Sequence, residues 1–141
     1  MPATSVEDRL AIEDLFIRYT RAIDAGDVDT LTACFTEDGT LQSPVVGGYA
    51  GRKAIRAFAE RFARYREGGA QFRHVISNFV VQVKGDRAHA WAYLLVFLTR
   101  NGATRTLPPA EYDCDLRRVD GAWLFDRRVV RHDCDYTLEG I

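Results

Sequence analysis

The period of the apolar residues changes once along the chain, and that change limits the folds open to it. Up to about Arg66 the apolar side chains recur three and four apart; from Phe72 onward they alternate. The first spacing gives a helix one apolar stripe, and the second gives a strand one apolar face. Helices first and strands last cannot supply the alternating units of a parallel sheet. The pattern predicts an α+β fold in which helices pack on one face of an antiparallel sheet.

In the first half, Ile12, Leu15, Phe16, Tyr19 and Ile23 form the stripe of a first helix. Ser5 and Asp8 resemble a capping box before it, and Gly26 supplies the stop. A shorter helix is expected over residues 28–35, followed by a turn at 36–39, a short strand around Leu41 and a loop from Ser43. A third helix, about 52–66, carries Ile55, Phe58, Ala59, Phe62 and Tyr65 and stops at Gly68 and Gly69. Four strands follow, over 72–83, 87–99, 104–119 and 122–131. Gly85, Asn101-Gly102 and Asp120-Gly121 mark hairpin turns between them. A curved sheet with three helices across its hollow side cannot fill that hollow, so a cone-shaped ligand pocket is expected.

The 141 residues make one domain, 1–141, large enough to bury a core. With 47% hydrophobic and 28% charged residues the composition is globular, and a net charge of -1 gives no electrostatic case for nucleic acid. No apolar run approaches the ~18 residues of a membrane span. Residues 1–8 lack the basic and apolar regions of a signal peptide. Cys34, Cys114 and Cys134 are odd in number and have no metal-ligand spacing. A cytoplasmic protein with reduced thiols is expected.

Several motifs fail on inspection. The stretch from Gly47 to Lys53 lacks the ending of a phosphate loop, and Asp24, Asp27 and Asp29 lack the glycine and acidic ligand of a calcium loop. His132, Asp133, Cys134 and Asp135 carry metal-capable atoms, but strand neighbours point to opposite faces; a solvated strand end is expected there. Four polar residues in apolar settings remain: Tyr19 on the first stripe, Asp24 at that helix's end, His74 between Phe72 and Ile76, and Arg128 between Phe125 and Val130. Buried without partners such groups are costly. Each also has a plain structural role: a core tyrosine, a cap, a hydrogen-bonded core histidine, a surface ion pair. Tyr19 and Asp24 lie about 140° apart on an ideal helix, so both meet one ligand only if the helix ends or bends at Ile23.

Residues 17–31 (IRYTRAIDAGDVDTL) and 34–39 (CFTEDG) resemble the opening signature of the SnoaL-like, or nuclear transport factor 2-like, superfamily; residues 116–125 (LRRVDGAWLF) resemble its last hairpin. The resemblance covers nearly the whole chain. Its motifs are specific for fold and weak for function, because the superfamily holds enzymes and non-enzymes. One branch, with scytalone dehydratase, bile-acid 7α-dehydratase and hexachlorocyclohexane dehydrochlorinase, uses an Asp–His pair, and the resemblance places that pair on Asp24 and His74. It places the dehydrochlorinase's basic residue on Arg128 and a helix-one tyrosine on Tyr19. The chain also departs from its relatives. Ser43 stands where the ketosteroid isomerases keep a catalytic aspartate. Between Trp91 and Phe97 there is no counterpart of scytalone dehydratase's second histidine, and His89 lies too near a turn to replace it.

The activity so implied is cofactor-independent loss of water from a β-hydroxy carbonyl compound. His74 would act as base, Asp24 would hold its tautomer, Tyr19 would donate to an oxygen, and Arg128 would hold negative charge. Phe16, Phe72, Ile76, Tyr93, Phe97 and Tyr112 are the expected lining, fit for a hydrophobic, ring-bearing substrate. The alternatives are a non-catalytic ligand-binding or scaffold subunit of the same fold, like the small subunit of ring-hydroxylating dioxygenases, and a polyketide cyclase or isomerase. Trp91, Tyr93 or Trp123 on the outer sheet face would make an apolar contact surface, so a homodimer or homotrimer is expected.

Overall fold

A computed structural model describes residues 4–141; the first three residues of the opening segment lie outside it. Helix α1 (Val6–Ala25) begins where the Ser5 hydroxyl accepts from the Asp8 N–H at 3.1 Å, and ends at Gly26, whose φ of 71° is the left-handed stop. The Asp8 carboxylate does not complete a capping box. It accepts the Trp123 indole N–H at 3.1 Å and pairs with Arg118 at 3.3 Å. Helix α2 (Val28–Ala33) is shorter than expected, because Phe35 already belongs to strand β1 (Phe35–Ser43). The residues expected to turn at 36–39 lie inside that strand, where its register to the last strand slips. Strand β2 (Gly47–Ala50) folds back on β1, and helix α3 (Arg52–Glu67) closes the first half.

The second half is β3 (Gln71–Lys84), β4 (Arg87–Arg100), β5 (Ala103–Thr106), β6 (Ala110–Val119) and β7 (Ala122–His132). The strand expected over 104–119 is broken into β5 and β6 at Pro108 and Pro109, which have no N–H to give to a ladder. Strand order is β2-β1-β7-β6-β4-β3, with β5 paired to β4. The sheet is curved and open, with the helices packed across it. It is not wholly antiparallel: β1 and β7 run parallel, with Leu41 opposite Arg128. No helix among the described residues is long and apolar enough to cross a membrane.

Two irregularities decide which side chains meet the core. In β3 the pairing with β4 slips between Ser77 and Val80, where Asn78 takes a φ of 56°. In β7, Asp126 is an extra residue opposite the step from Asp115 to Leu116. Each such bulge reverses the alternation of faces along its strand. Phe125 and Arg128 therefore both point inward, on either side of the bulge, and both are fully buried.

On β4 the inward series is Ala88, Ala90, Ala92, Leu94, Val96 and Leu98, all buried. The outward series includes His89, Trp91, Tyr93 and Leu95, of which Tyr93 is 55% exposed. Trp123 is not on the outer face. It is 5% exposed beneath the Arg118 guanidinium, whose carbon lies 4.5 Å from the ring centre.

Candidate active site

Residues of α1, β3 and β7 converge on a small cavity between sheet and helices, about 50 Å³ in volume. Its wall is mostly apolar: Phe58 and Phe62 from α3, Phe72 from β3, and Leu94 and Val96 from β4 contribute. Tyr19, His74, Tyr112, Ser43, His132 and Tyr136 are the polar groups in that wall. The lining suits a hydrophobic molecule with a few oriented oxygens.

Asp24 holds His74 through both carboxylate oxygens. Oδ1 lies 2.6 Å from the ring Nδ1, and Oδ2 accepts the His74 backbone N–H at 2.9 Å. Gln71 donates to the Asp24 backbone carbonyl at 3.0 Å and ties the end of α1 to the start of β3. A carboxylate on Nδ1 fixes the proton there and leaves Nε2 as the ring's free nitrogen. The angular problem posed by the spacing of Tyr19 and Asp24 is thereby answered. Helix α1 runs unbroken through Ala25, and Asp24 stands behind His74, outside the cavity wall. Tyr19 and His74 face the cavity; Asp24 reaches it only through the imidazole.

Arg128 points inward, as its phase in β7 requires, but it does not line the cavity. Its guanidinium carbon sits 3.6 Å from the centre of the Tyr112 ring, 4.0 Å from Tyr19, 4.3 Å from Phe125 and 5.0 Å from Phe16. Nη1 donates to the Cys114 sulfur at 3.5 Å, and Nε and Nη2 have no hydrogen-bond partner among the described residues. The cation is thus held by ring faces, behind the tyrosines that meet a ligand. Direct contact with a substrate anion, as the resemblance implied, does not fit this position. Burial pushes the Tyr19 phenol far above the usual tyrosine range, with Tyr112 adding to the shift and Arg128 opposing it. Tyr112 is raised by burial in the same way. Both phenols therefore keep their protons and act as donors.

The expected lining divides. Phe72 and Tyr112 are in the wall. Phe16 is buried one layer deeper, edge-on to Phe79, Tyr112 and Phe125. Ile76 shares the face of Phe72 and His74 but packs against the core beyond the cavity. Tyr93 and Phe97 fall on the outer phase of β4, opposite Ser77 and Arg73, and do not line this cavity. His89 is on that outer phase too, between Asp115 on Nδ1 and Asp113 on Nε2, each at 2.6 Å.

The residue that sequence reasoning missed is His132. It is no solvated strand end: its ring is in the cavity wall, edge-on to Tyr136 at 5.0 Å, and its Nε2 lies 3.3 Å from the Ser43 hydroxyl. Counting by twos from Arg128 through Val130 places it on the inward face, a signal the sequence did carry. Tyr136 and Leu138, from the segment after β7, complete this side of the wall. Among the described residues no group of three His, Cys, Asp or Glu side chains is placed to hold a metal ion.

Comparison with known proteins agrees with this architecture. The uncharacterized protein Rv2910c of Mycobacterium tuberculosis is 27% identical over 131 residues, 92% of this chain and 88% of its own. The structure of an aspartate-to-asparagine variant of Rv3472, a function unknown protein also from Mycobacterium tuberculosis, superposes with a TM-score of 0.82 at 30% identity, covering 89% of this chain and 72% of that one. A Catenulispora acidiphila protein in complex with S-DNPA superposes with a TM-score of 0.81 at 25% identity, covering 92% and 96%. The profile of the SnoaL-like domain matches residues 4–129, and the chain belongs to the SnoaL-like domain family.

Proposed function

We propose that the chain is a small-molecule lyase of dehydratase type, acting without a cofactor on a hydrophobic, ring-bearing β-hydroxy carbonyl compound. The observation that carries this reading is the Asp24–His74 pair, closed at 2.6 Å with the imidazole in the wall of an apolar cavity. A histidine held only for packing would bond to backbone and face a filled core.

In this reading His74 Nε2 takes the proton next to the substrate carbonyl, and Asp24 stabilises the imidazolium that forms. The Tyr19 phenol donates to substrate oxygen, and the same imidazolium returns its proton to the departing hydroxyl. Arg128, stacked on Tyr19 and Tyr112, biases both phenols towards carrying negative charge. The Catenulispora acidiphila neighbour, solved in complex with S-DNPA, supports ligand binding by this shape of domain.

A bicyclic β-hydroxytetralone, which gives naphthol on losing water, tests the proposal by fluorescence. His74→Ala is expected to slow naphthol release by roughly 10²–10⁴-fold, the usual contribution of a positioned base. Asp24→Asn should slow it by about tenfold or more while the far-ultraviolet circular dichroism stays unchanged. If both variants turn the compound over as fast as the parent protein, the pair is structural and the lyase reading is wrong. Binding without turnover in the parent protein would instead favour the ligand-binding alternative.

A further inference from the structure

At about 50 Å³ the cavity is far smaller than the hydrophobic ring it is proposed to take. Benzene alone fills a cavity of about 150 Å³, and pockets for larger ligands run to roughly 300 Å³ or more. Part of the wall must therefore give way. Helices α1 and α3 and strands β1, β3, β4, β6 and β7 are held by their own turns and ladders. The loops in the wall are tied as well. The Val46 carbonyl accepts from the Tyr49 hydroxyl at 3.0 Å and from Arg61 at 3.2 Å, and the Leu107 N–H donates to the Val96 carbonyl at 2.9 Å.

The segment after β7 is held differently. Its last tie to the body is the Asp133 N–H, which donates to the Pro109 carbonyl at 2.9 Å. From Cys134 to Ile141 no hydrogen bond or ion pair reaches the rest of the described chain. The two hydrogen bonds that do form are internal, from the Glu139 N–H to the Thr137 hydroxyl and from the Ile141 N–H to the Leu138 carbonyl. Apolar packing is what remains. Leu138 is 8% exposed, Tyr136 is half-buried edge-on to His132, and both stand in the cavity wall. Cys134, Asp135, Thr137, Glu139 and Gly140 face solvent. A segment with so few ties opens without disturbing the sheet beneath it.

We propose that residues 134–141 are a self-occluding plug: Tyr136 and Leu138 occupy the room that a ligand's ring needs, and the ligand enters by displacing them outwards about Asp133. This inference rests on the ring-bearing ligand of the lyase reading, but not on turnover. Ligand and Leu138 then compete for one space, so whatever disfavours burial at position 138 favours binding.

Leu138→Asn tests this, because it changes polarity at nearly constant volume. In a rigid wall the amide would weaken the binding of an apolar ring. In a plug the asparagine stays in water and the cavity stands open. Naphthol, followed by its fluorescence, should bind Leu138→Asn roughly three- to tenfold more tightly than the parent protein, with faster association. An unchanged far-ultraviolet circular dichroism spectrum shows that the variant is folded. A second measurement needs no variant. A soluble gadolinium chelate should relax the Leu138 methyl resonances of the parent protein weakly without ligand and several-fold faster once naphthol is bound. Weaker or unchanged naphthol binding by Leu138→Asn, methyls that stay shielded in the naphthol-loaded protein, or no naphthol binding by either protein overturns the proposal. Turnover that His74→Ala and Asp24→Asn leave intact overturns the lyase reading instead, and leaves this binding result untouched.

Discussion

Arg128 and Cys114 face each other across β7 and β6 at the bottom of the core, a cation and a thiol with no carboxylate between them. Burial pushes the Cys114 thiol up to about 11, and the nearby guanidinium only partly offsets that. Cys34 is raised by burial as well. A thiol whose pKa rises stays protonated, and the protonated form is not the nucleophile. At pH 8, Ellman's reagent should therefore react at once with the exposed Cys134 alone, and with all three cysteines only after denaturation. Rapid labelling of Cys114 in the folded protein would show that the core opens around Arg128. Three of the site's side chains are legible at this scale because the resemblance names them: Tyr19, Asp24 and His74. Asp24 and His74 are far apart in sequence, and spacing alone cannot pair them. His132 is hidden by its neighbours. A charged run from Arg131 to Asp135 looks like solvent-facing chain, and only its phase relative to Arg128 reveals the inward ring.

At the scale of elements, the change from helical to alternating period locates the three helices and the sheet from the sequence alone. It cannot locate the bulges, because an inserted residue leaves composition unchanged and reverses the faces beyond it. Strand β4 misleads in another way. Its inward residues include three alanines and its outward ones Trp91, Tyr93 and Phe97, so side-chain size favours the wrong face for the cavity that Leu94 and Val96 line. The β3 bulge depends on Asn78 in the left-handed region, φ 56°. Asparagine tolerates that conformation and a β-branched residue does not. Asn78→Val should cost about 1–2 kcal/mol in urea unfolding, against about 0.5 kcal/mol or less for Asn78→Gly. Equal stability of the two variants would mean that the strand can straighten without loss, and that the inward turn of Phe79 is not held by this residue.

For the whole molecule, the outer sheet face carries Val75, Val80, Tyr93 and Leu95, all exposed, with Val75 directly opposite Leu95 across the β3–β4 ladder. A second copy of the chain is the occupant that the homodimer or homotrimer proposal requires. Sedimentation velocity at roughly tens of micromolar, where interfaces of ordinary affinity persist, should show that assembly, and Leu95→Glu should return it to monomer. A monomeric parent protein counts against it. The parallel pairing of β1 with β7 is beyond reach of local pattern, since parallel and antiparallel neighbours bury the same face. That pairing also governs how the chain is made. Leu41 leaves the ribosome long before its partner Arg128 exists, and until then the apolar stripe of α1 has no Phe125 to lie against. Closure of the sheet waits for β7, so folding is slow to begin and follows the synthesis of that strand. A chain interrupted before β7 would leave the inner rings of α1 uncovered and become a substrate for chaperones or an aggregate.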